Sequence, residues 1–317
     1  MNNSVLTASL ADAMVRVAEE AAIAADRQVG RGDEKKADTA AVDAMRKAFN
    51  AVDFRGRVVI GEGERDEAPM LYIGEEVGTG TGPEIDIALD PLEGTTLTAK
   101  AMPDACVLLA IAPRGGLLYA PDTYMDKLAI GPGYPEGIVS LEASPADNIK
   151  ALAKHAGRAV EDMKVCVLDR PRHQEIIDSL RSAGARVVLI TDGDVLGVIA
   201  TTDPATGIDM YVGQGGAPEG VLAAAALKCV GGQIFGKLVF RNEDEKKRAA
   251  RTGITDFGRS YSLNELASGE TVFCATGVTN GSMLEGVLHR TGRVHTHTLV
   301  MTSTDGMVRH VRSARKL

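Results

Sequence analysis

Aromatic residues are scarce in this sequence: the 317-residue chain has no tryptophan, and all aromatic residues together make up only 4% of it. Proteins that bind single-stranded nucleic acids usually stack the bases on several aromatic side chains. The formal net charge of −8 also disfavours a broad nucleic-acid-binding surface. We therefore expect no nucleic-acid partner. A chain this acidic can bind an anionic substrate only where arginine, lysine or metal ions concentrate positive charge.

Cysteines and long apolar segments are also scarce. The four cysteines, at Cys106, Cys166, Cys229 and Cys274, lack the spacing of a metal site or a redox pair. Three of them lie in apolar runs, where cysteine behaves as a small buried hydrophobe. Apolar runs such as 106–112 and 221–227 are much shorter than the ~20 residues that span a membrane. The first residues lack the basic and apolar regions of a secretory signal. We expect a cytoplasmic protein with no membrane partner.

Three common catalytic motifs are missing. The sequence contains no Gly-x-x-x-x-Gly-Lys-Ser/Thr, no Gly-x-Ser-x-Gly and no His-Glu-x-x-His. The glycine-rich stretch 78–82 lacks the third glycine of the dinucleotide-binding pattern and is typical of a loop. The chemistry must therefore come from another pattern.

Strands and helices alternate along the chain, which predicts an α/β protein with a parallel or mixed sheet. We predict helices at 8–29, 38–50, 174–183 and 219–229, and strands at 58–60, 85–89, 106–111, 117–119, 165–168, 187–190 and 209–212. The charged run 241–251 predicts a solvated helix or loop. We expect residues 1–317 to form a single catalytic unit with two lobes, a metal-binding and catalytic lobe at 1–155 and a sugar-phosphate-binding lobe at 156–317.

Polar residues follow the strands of the second half. Because ligands bind at the carboxyl ends of the strands in such sheets, these residues are candidates for a binding site. They are Arg170 and Arg172 after one strand, Asp192 and Asp194 after the next, and Gly215, Gly216 and Glu219 after a third.

Acidic residues follow the strands of the first half. Glu62 and Glu64 come after the strand 58–60. Asp90 comes directly at the end of the strand 85–89, and Glu93 follows three residues later, beyond Pro91. Carboxylate oxygens suit hard cations such as Mg²⁺ or Mn²⁺. Without a metal these carboxylates would repel a phosphate, whereas two or three divalent cations would convert them into a phosphate clamp. Gly94-Thr95 can open a helix whose amides face the phosphate, with the Thr95 hydroxyl available to orient a water.

The hexapeptide Asp90-Pro91-Leu92-Glu93-Gly94-Thr95 resembles the signature of the lithium-sensitive, Mg²⁺-dependent phosphatases, such as inositol monophosphatases and fructose-1,6-bisphosphatases. The form with glutamate at Glu93 is similar to the class II fructose-1,6-bisphosphatases of bacteria. Other segments agree, and the likeness covers nearly the whole chain: Gly30-Arg31-Gly32-Asp33, Ala37-Asp38, 61–71, Ala120-Pro121-Asp122, Tyr124-Met125, Arg170-Pro171-Arg172-His173, Asp192-Gly193-Asp194, 215–220, Ala275-Thr276-Gly277 and Leu284-Glu285-Gly286.

The resemblance implies a layered α/β/α/β-type sugar-phosphatase sandwich with two lobes and mixed sheets. It places metal ligands at Asp38, Glu62, Asp90 and Glu219, with Glu93 as a further candidate ligand. Thr95 takes the catalytic role, together with Glu62 and Asp90. The substrate-contacting positions are Glu93, Gly94, Thr95, Tyr124, Arg170, Pro171, Arg172, Asp192, Gly193, Asp194 and Gly216.

The implied activity is the hydrolysis of the 1-phosphate of fructose 1,6-bisphosphate by a metal-activated water, a reaction of gluconeogenesis and central carbon metabolism. It implies two or more Mg²⁺ or Mn²⁺ ions and a homo-oligomer, either a dimer or a tetramer. Two departures from relatives bear on the site. Where some relatives have Gly-Asp-Lys, this chain has Asp33-Glu34-Lys35-Lys36, which leaves open whether Lys35 or Lys36 reaches the site; Arg170 can be lysine in relatives.

Three alternatives stay open. The enzyme could also hydrolyse sedoheptulose 1,7-bisphosphate, as some class II relatives do. A haloacid-dehalogenase-type phosphatase would use the segment 187–195, with Asp192 as the phosphorylated residue. That motif usually begins its domain, however, and no acidic dyad follows a later strand here. A non-catalytic sugar-phosphate sensor could dispense with the acidic residues and Thr95, yet all are present.

A few further polar residues have weaker claims. His295 and His297, two apart, are expected to be exposed on a strand rather than to bind metal. His173, beside Arg172, is a candidate phosphate contact. Asp86 shares a strand face with Asp90 by alternation and is expected to accept hydrogen bonds rather than to bind the metal.

Overall fold

The computed structural model describes residues 4–63 and 70–316. The chain folds into two compact units, one comprising Met1–Leu118 and Ser268–Leu317 and the other Tyr119–Ala267. Each unit is built around its own β-sheet. Within the described residues, no helix is both long and apolar enough to cross a bilayer.

The secondary structure follows in chain order. The helices are α1 (Ala8–Asp26), α2 (Glu34–Phe49), α3 (Thr95–Ala99), α4 (Pro145–Ala156), α5 (Gln174–Ser182), α6 (Asp194–Ile199), α7 (Ala217–Val230), α8 (Glu243–Arg251) and α9 (Leu263–Leu266). The strands are β1 (Arg55–Ile60), β2 (Glu76–Val77), β3 (Glu84–Glu93), β4 (Cys106–Pro113), β5 (Tyr124–Ile130), β6 (Lys164–Leu168), β7 (Arg186–Ile190), β8 (Met210–Gly216), β9 (Gln233–Val239), β10 (Ser260–Ser262), β11 (Val272–Gly277), β12 (Leu288–Arg290), β13 (Arg293–Thr302) and β14 (Met307–Lys316). Short 3₁₀ turns lie at Val160–Asp162, Pro171–His173 and Ala200–Thr202.

The sheet of the first unit has the strand order β12-β13-β11-β4-β3-β1-β2, and β14 also pairs with β13. It is mixed, because β1 runs parallel to β3 while β4 and β11 pair antiparallel with their neighbours. Helices α1 and α2 cover one face. Along α1, apolar residues recur at three- and four-residue spacing, and all of them are buried: Leu10, Met14, Val17, Ala21 and Ala25. They pack with strand residues such as Ile87 and Leu109 in one core.

The sheet of the second unit has the order β10-β9-β5-β8-β6-β7. It is also mixed, since β6 runs parallel to β7 and β8 while β5 is antiparallel to β8 and β9. A second core forms where α4 and α5 pack on this sheet, with Leu152 and Leu180 against Leu128 and Val165. Helix α7, rich in alanine, packs against β5, β8 and β9. Helices α4, α5 and α7 therefore pack on the strands whose ends carry the polar residues.

Most of the predicted elements are confirmed. The α/β class with mixed sheets is confirmed, as are the helices predicted in both halves of the chain. Helix α2 begins at Glu34 rather than at 38, because the Asp33 side chain accepts a hydrogen bond from the Lys36 amide and caps the helix. All four cysteines are buried, as expected. Burial raises the pKa of the Cys166 thiol to about 12, so this residue stays protonated.

The strand predicted at 117–119 is wrong, and the chain forms β5 at Tyr124–Ile130 instead. Two charged residues, Asp126 and Lys127, interrupt the apolar pattern of β5 and hide it in the sequence. Lys127 is nevertheless buried with 1% of its surface exposed. A strand that buries a lysine cannot be recognised from hydrophobicity alone.

The two units divide the chain at other points than the lobes expected at 1–155 and 156–317. Strand β11 pairs with β4, and β13 pairs with β11, so the last 50 residues return to the first sheet. The expectation of a single catalytic unit stays a prediction.

Candidate active site

Two carboxylates of the hexapeptide come together because β3 is irregular. In a regular strand Asp90 and Glu93, three residues apart, would point to opposite faces of the sheet. Asp90 pairs with Leu108 and Glu93 with Cys106, so three steps along β3 match two along β4. This is a β-bulge, and it includes Pro91, which cannot donate a hydrogen bond to the neighbouring strand. As a result, each carboxylate offers an oxygen within 4.8 Å of the other.

The backbone is fixed on both sides of Glu93. The Leu92 amide donates to Asp90 Oδ1 at 3.0 Å, which closes the turn around Pro91. Gly94 has a φ of +87°, in the left-handed region that favours glycine, and caps α3. Thr95 is the first residue of that helix and is half-buried. The predicted helix opening at Gly94-Thr95 is therefore confirmed.

Glu62 and Asp38 reach the same group of carboxylates. Glu62 follows β1, and because β1 is parallel to β3, the carboxyl ends of both strands lie at one edge of the sheet. Asp38 lies on α2. Burial raises the pKa of Glu62 to about 8, and the negative charges of Asp38 and Asp90 add to that shift. Burial also raises the pKa of Asp38.

This set of side chains fits a divalent cation. Four carboxylates from α2, the end of β1 and the bulge of β3 provide only hard oxygen ligands, the type that hard divalent metals prefer: Asp38, Glu62, Asp90 and Glu93. The raised pKa of Glu62 reflects first the cost of burying its charge and then the cost of placing that charge near Asp38 and Asp90. A cation reverses that cost, because each ionised carboxylate then becomes favourable. The first unit thus contains an acidic group that could bind metal.

Other predicted residues surround this cluster. Glu64, named with Glu62 in the sequence, lies outside the described residues. Asp86 is buried and accepts hydrogen bonds from the Gly115 amide at 2.6 Å and from Arg57 at 3.1 Å, which confirms its expected role as an acceptor. Lys35 and Lys36 are both exposed near the start of α2, and Lys36 forms an ion pair with Asp33.

In the second unit, Tyr124 and Arg172 stack on each other. Tyr124 begins β5 and pairs with Gly216 of β8. The guanidinium carbon of Arg172 lies 5.1 Å from the centroid of the Tyr124 ring, a cation–π distance. The guanidinium also donates two hydrogen bonds to the Gln214 carbonyl, from Nη2 at 2.8 Å and from Nε at 3.2 Å. Because its acceptor is a neutral carbonyl, Arg172 keeps its full charge for an anion.

Arg170 and Asp192 follow the parallel strands β6 and β7, as predicted, and lie close together. Arg170 Nη2 is 3.8 Å from Asp192 Oδ1. Burial raises the pKa of Asp192, whereas the charge of Arg170 lowers it. Pro171 starts the 3₁₀ turn that carries Arg172, and Gly193, at a φ of +80°, caps α6. The second unit therefore places these polar residues at one edge of its sheet.

Asp194 lies deeper than its neighbours and forms a buried ion pair with Lys127. The two side chains are 2.5 Å apart, and Lys127 also donates to the Gly216 carbonyl at 2.8 Å. The Tyr211 hydroxyl donates to the same carboxylate at 3.4 Å. A side chain at Gly215 would collide with this pair, which explains the glycine there. The pair connects the start of α6 to the junction of β8 and α7.

His173 is a structural residue. Its Nε2 accepts a hydrogen bond from the Gln214 amide at 2.8 Å, so the ring proton lies on Nδ1, which donates to the Leu168 carbonyl at 2.7 Å. Burial lowers the pKa of the imidazole and favours this neutral form. Both ring nitrogens are used, and the hypothesis that His173 contacts phosphate is therefore wrong.

The expectation that His297 is exposed is also wrong. This side chain is buried, its Nδ1 accepts from the Glu285 amide at 3.0 Å, and its Nε2 lies 2.9 Å from His310 Nδ1. His297 shares strand β13 with His295. Strand β14 pairs with β13 and places His310 beside His297. Local sequence does not reveal that pairing.

Glu219 lies in the first turn of α7, directly after β8. Its carboxylate folds back so closely on Gly216 that a side chain at that position would collide with it. Gly216 caps the helix with an extended backbone, so glycine is required here by space and not by φ. Glu219 is half-buried.

The structure therefore groups the predicted residues by unit. The first unit contains Asp38, Glu62, Asp90, Glu93, Gly94 and Thr95, and the second contains Tyr124, Arg170, Pro171, Arg172, Asp192, Gly193, Asp194, Gly216 and Glu219. Sequence reasoning missed Lys127 and Gln214, which hold Asp194 and Arg172 in place. A lysine inside an apolar stretch was the only signal for Lys127, and Gln214 acts mainly through its backbone.

Comparison with known proteins places the molecule in a family. An inositol monophosphatase structure from Anabaena (Nostoc) sp. PCC 7120 is similar at a TM-score of 0.31 and 13% identity, over 61% of this chain and 70% of that chain. A protein of Synechococcus sp. (strain JA-2-3B'a(2-13)), named D-fructose 1,6-bisphosphatase class 2/sedoheptulose 1,7-bisphosphatase, is 45% identical over 323 residues. That match covers 94% of this chain and 93% of the relative.

A protein of the same name from Prochlorococcus marinus (strain NATL1A) is 44% identical over 315 residues, covering 95% of this chain and 94% of the relative. The family model described as bacterial fructose-1,6-bisphosphatase, glpX-encoded, matches residues 8–315. That match contains both the acidic bulge of β3 and the arginines beyond β6. The chain belongs to the family of bacterial, glpX-encoded fructose-1,6-bisphosphatases.

Proposed function

We propose that this protein hydrolyses the 1-phosphate of fructose 1,6-bisphosphate and releases fructose 6-phosphate and phosphate. The observation that carries the proposal is the cluster of Asp38, Glu62, Asp90 and Glu93 around the bulge of β3, in a chain of this family. Such a cluster repels phosphate unless cations are bound, which is the electrostatic signature of metal-dependent phosphoryl transfer.

Asp38, Glu62, Asp90 and Glu93 would hold the metal, and we assign Glu219, in the first turn of α7, as a further ligand. We propose two or more ions of Mg²⁺ or Mn²⁺. Bound there, such ions lower the pKa of a water and stabilise the negative charge of the leaving oxygen.

Thr95 is the residue we assign to the proton of the attacking water. Thr95 begins α3, two residues beyond Glu93. A threonine hydroxyl is a weak base, so it must pass the proton to a carboxylate. Glu62, which follows β1 at the same edge of the sheet and lies near Asp90, is the acceptor we assign. Attack is direct and in line, without a phosphoenzyme.

The second unit would bind the rest of the substrate. We assign Arg170 and Arg172, with Tyr124, to the phosphate that is not cleaved, because they supply local positive charge in an acidic chain. Asp192, Gly193 and Gly216 would contact the sugar. Asp194 would support them from its buried pair with Lys127.

A second substrate is favoured by a specific observation. The relatives at 44–45% identity are named for both fructose 1,6-bisphosphate and sedoheptulose 1,7-bisphosphate. We therefore propose that this chain also hydrolyses the 1-phosphate of sedoheptulose 1,7-bisphosphate. The same relatives do not favour a haloacid-dehalogenase-type reaction at Asp192 or a non-catalytic sensor. We further propose a cytoplasmic homo-oligomer, a dimer or tetramer.

A panel of sugar phosphates tests the function. With Mg²⁺ or Mn²⁺, the purified protein should release phosphate from fructose 1,6-bisphosphate and sedoheptulose 1,7-bisphosphate much faster than from their monophosphates, because only bisphosphates engage both phosphate sites. Released phosphate and the remaining sugar phosphate are quantified. Turnover that persists undiminished in EDTA, or a preference for monophosphates, would contradict the proposal.

Thr95 provides a test of the mechanism. Thr95→Ala should lower kcat by roughly 10²–10⁴-fold with little change in KM, the range for a lost acid–base or positioning group. Thr95→Ser keeps the hydroxyl and should retain part of the rate. Thr96→Ala is the matched control, since the neighbouring hydroxyl donates to Glu34 at 2.8 Å. Steady-state kinetics in which the two alanine variants behave alike would refute the role of Thr95, as would a trapped phosphoaspartate at Asp192.

Arg172 tests which phosphate the second unit binds. Arg172→Ala should raise KM for the bisphosphate about 10- to 100-fold, since a charge-assisted hydrogen bond contributes about 1.5–3 kcal/mol. A simple monophosphate ester should be affected less. Arg186→Ala, on strand β7 of the same unit, is the control. If Arg172→Ala weakens activity equally on the bisphosphate and on the monophosphate ester, Arg172 binds the phosphate that is cleaved and the assignment is wrong.

A further inference from the structure

Arg241 lies in a charged run, 241–251, which the sequence assigns to a solvated surface. The structure departs from that expectation at one residue: Glu245, in the first turn of α8, is buried with 1% of its surface exposed. Its partner is Arg241, whose Nε and Nη2 lie 2.6 and 2.5 Å from Glu245 Oε1. The guanidinium carbon of Arg241 is 4.8 Å from the centroid of the Tyr124 ring. Glu245 therefore holds the guanidinium of Arg241 beside Tyr124, a residue that we assign to substrate binding.

The position of Arg241 is determined by the backbone around Tyr124. Glu245 Oε2 accepts from the Arg241 amide at 2.7 Å and lies 3.0 Å from the hydroxyl of Thr123. Thr123 precedes Tyr124, and its hydroxyl also contacts the Val239 carbonyl at 2.7 Å. The start of β5, the end of β9 and the start of α8 are thus joined in one hydrogen-bonded unit. A guanidinium held at this many points loses little conformational freedom when it binds a ligand.

Arg172 meets the same ring from the other neighbouring strand. Tyr124 pairs with Gly216 of β8 on one side and with Val239 of β9 on the other. Arg172 is held by the β8 carbonyl of Gln214, whereas Arg241 follows β9. Their two guanidinium carbons can be no farther apart than the sum of their distances to the ring centroid. Both cations therefore border the same aromatic side chain.

Both guanidinium groups present the same atoms for binding. Arg172 uses Nε and Nη2 to contact Gln214, and Arg241 uses Nε and Nη2 to contact Glu245. Arginine has five N–H donors, so the two hydrogens of Nη1 remain in each case. Within residues 4–63 and 70–316, no carboxylate forms an ion pair with Arg172. Glu245 pairs with Arg241, and Asp122 also lies near that guanidinium, whereas the acceptor of Arg172 is a neutral carbonyl.

We infer that Arg241 is a phosphate-binding residue that forms, with Arg172 and across Tyr124, a clamp for the phosphate group that the enzyme does not cleave. The inference rests on the proposed function for the identity of the ligand, a sugar bisphosphate. Phosphate esters suit this arrangement because each guanidinium donates in a planar fork to oxygens that carry the charge.

A second arginine in the same unit provides a matched control. The guanidinium carbon of Arg259 lies 4.9 Å from the centroid of Tyr261, and Arg259 forms an ion pair with Glu265. Arg259 thus has the same two kinds of neighbour as Arg241, a tyrosine ring and a glutamate. In the part of the chain that the structure describes, no second guanidinium lies over Tyr261. Arg241 shares its tyrosine ring with a second guanidinium, whereas Arg259 does not, and a clamp requires the second guanidinium.

Binding of fructose 6-phosphate to the purified full-length protein, measured by calorimetry, tests the clamp without turnover. Arg241→Met should weaken binding about 10- to 100-fold, the range for one charge-assisted hydrogen bond. Arg259→Met should bind as the parent does. In turnover, Arg241→Met should raise KM for fructose 1,6-bisphosphate by a similar factor and leave kcat nearly unchanged. Should Glu245 without its partner prevent folding, Arg241→Lys keeps a cation beside it and should still weaken binding several-fold, because lysine lacks the fork.

The outcomes separate the clamp from the proposed function. If Arg241→Met, or Arg241→Lys in its place, binds fructose 6-phosphate as tightly as Arg259→Met, the clamp is wrong while the hydrolase activity stands. A fall in kcat without a change in KM would make Arg241 a structural residue only and would also overturn the clamp. If the parent binds fructose 6-phosphate through Arg241 but hydrolyses no bisphosphate, the proposed function falls and the clamp stands.

Discussion

Repulsion among carboxylates is the constraint on which the first unit depends. Folding brings Asp90 and Glu93 together and places Asp38 and Glu62 near Asp90. Burial, with the charges of Asp38 and Asp90, raises the pKa of Glu62 to about 8. A fold selected for stability alone would avoid such an arrangement, because buried like charges cost free energy. The bulge at Pro91 removes the alternation that would separate Asp90 from Glu93. The local irregularity of β3 therefore creates an acidic group that could bind a cation.

In the second unit, cations are placed beside acceptors, whereas in the first unit carboxylates are placed beside one another. The cations of the second unit are held by neutral or matched acceptors: Arg172 by a backbone carbonyl, Arg241 by Glu245 and Lys127 by Asp194. Gln214 and Glu245 fix the guanidinium groups of Arg172 and Arg241 through Nε and Nη2. Lys127, in contrast, is buried and held by Asp194 and the Gly216 carbonyl. Glycine at Gly215 and Gly216 lets the Asp194 and Glu219 carboxylates approach the backbone closely.

The sequence predicted those features that depend on local pattern. Glu62, Asp192 and Arg170 follow recognisable strands and Asp90 lies near the end of β3, so local pattern was enough to assign them to strand ends. Features that depend on distant contacts were missed. The burial of Glu245 requires Thr123, more than a hundred residues away, and the burial of His297 requires pairing with β14. Strand β5 was missed because its lysine finds a buried partner in Asp194.

Direct binding of Mn²⁺ to the purified protein, measured by equilibrium dialysis with electron paramagnetic resonance, tests the central claim that the acidic cluster exists to hold cations. The parent should retain Mn²⁺, and Asp90→Asn and Glu62→Gln should each weaken binding by at least about tenfold, since a hard cation loses a charged oxygen ligand. Asp43→Asn, an exposed carboxylate on the same helix as Asp38, should bind as the parent does. No Mn²⁺ binding by the parent, or equal affinity in Asp90→Asn and Asp43→Asn, would contradict the account.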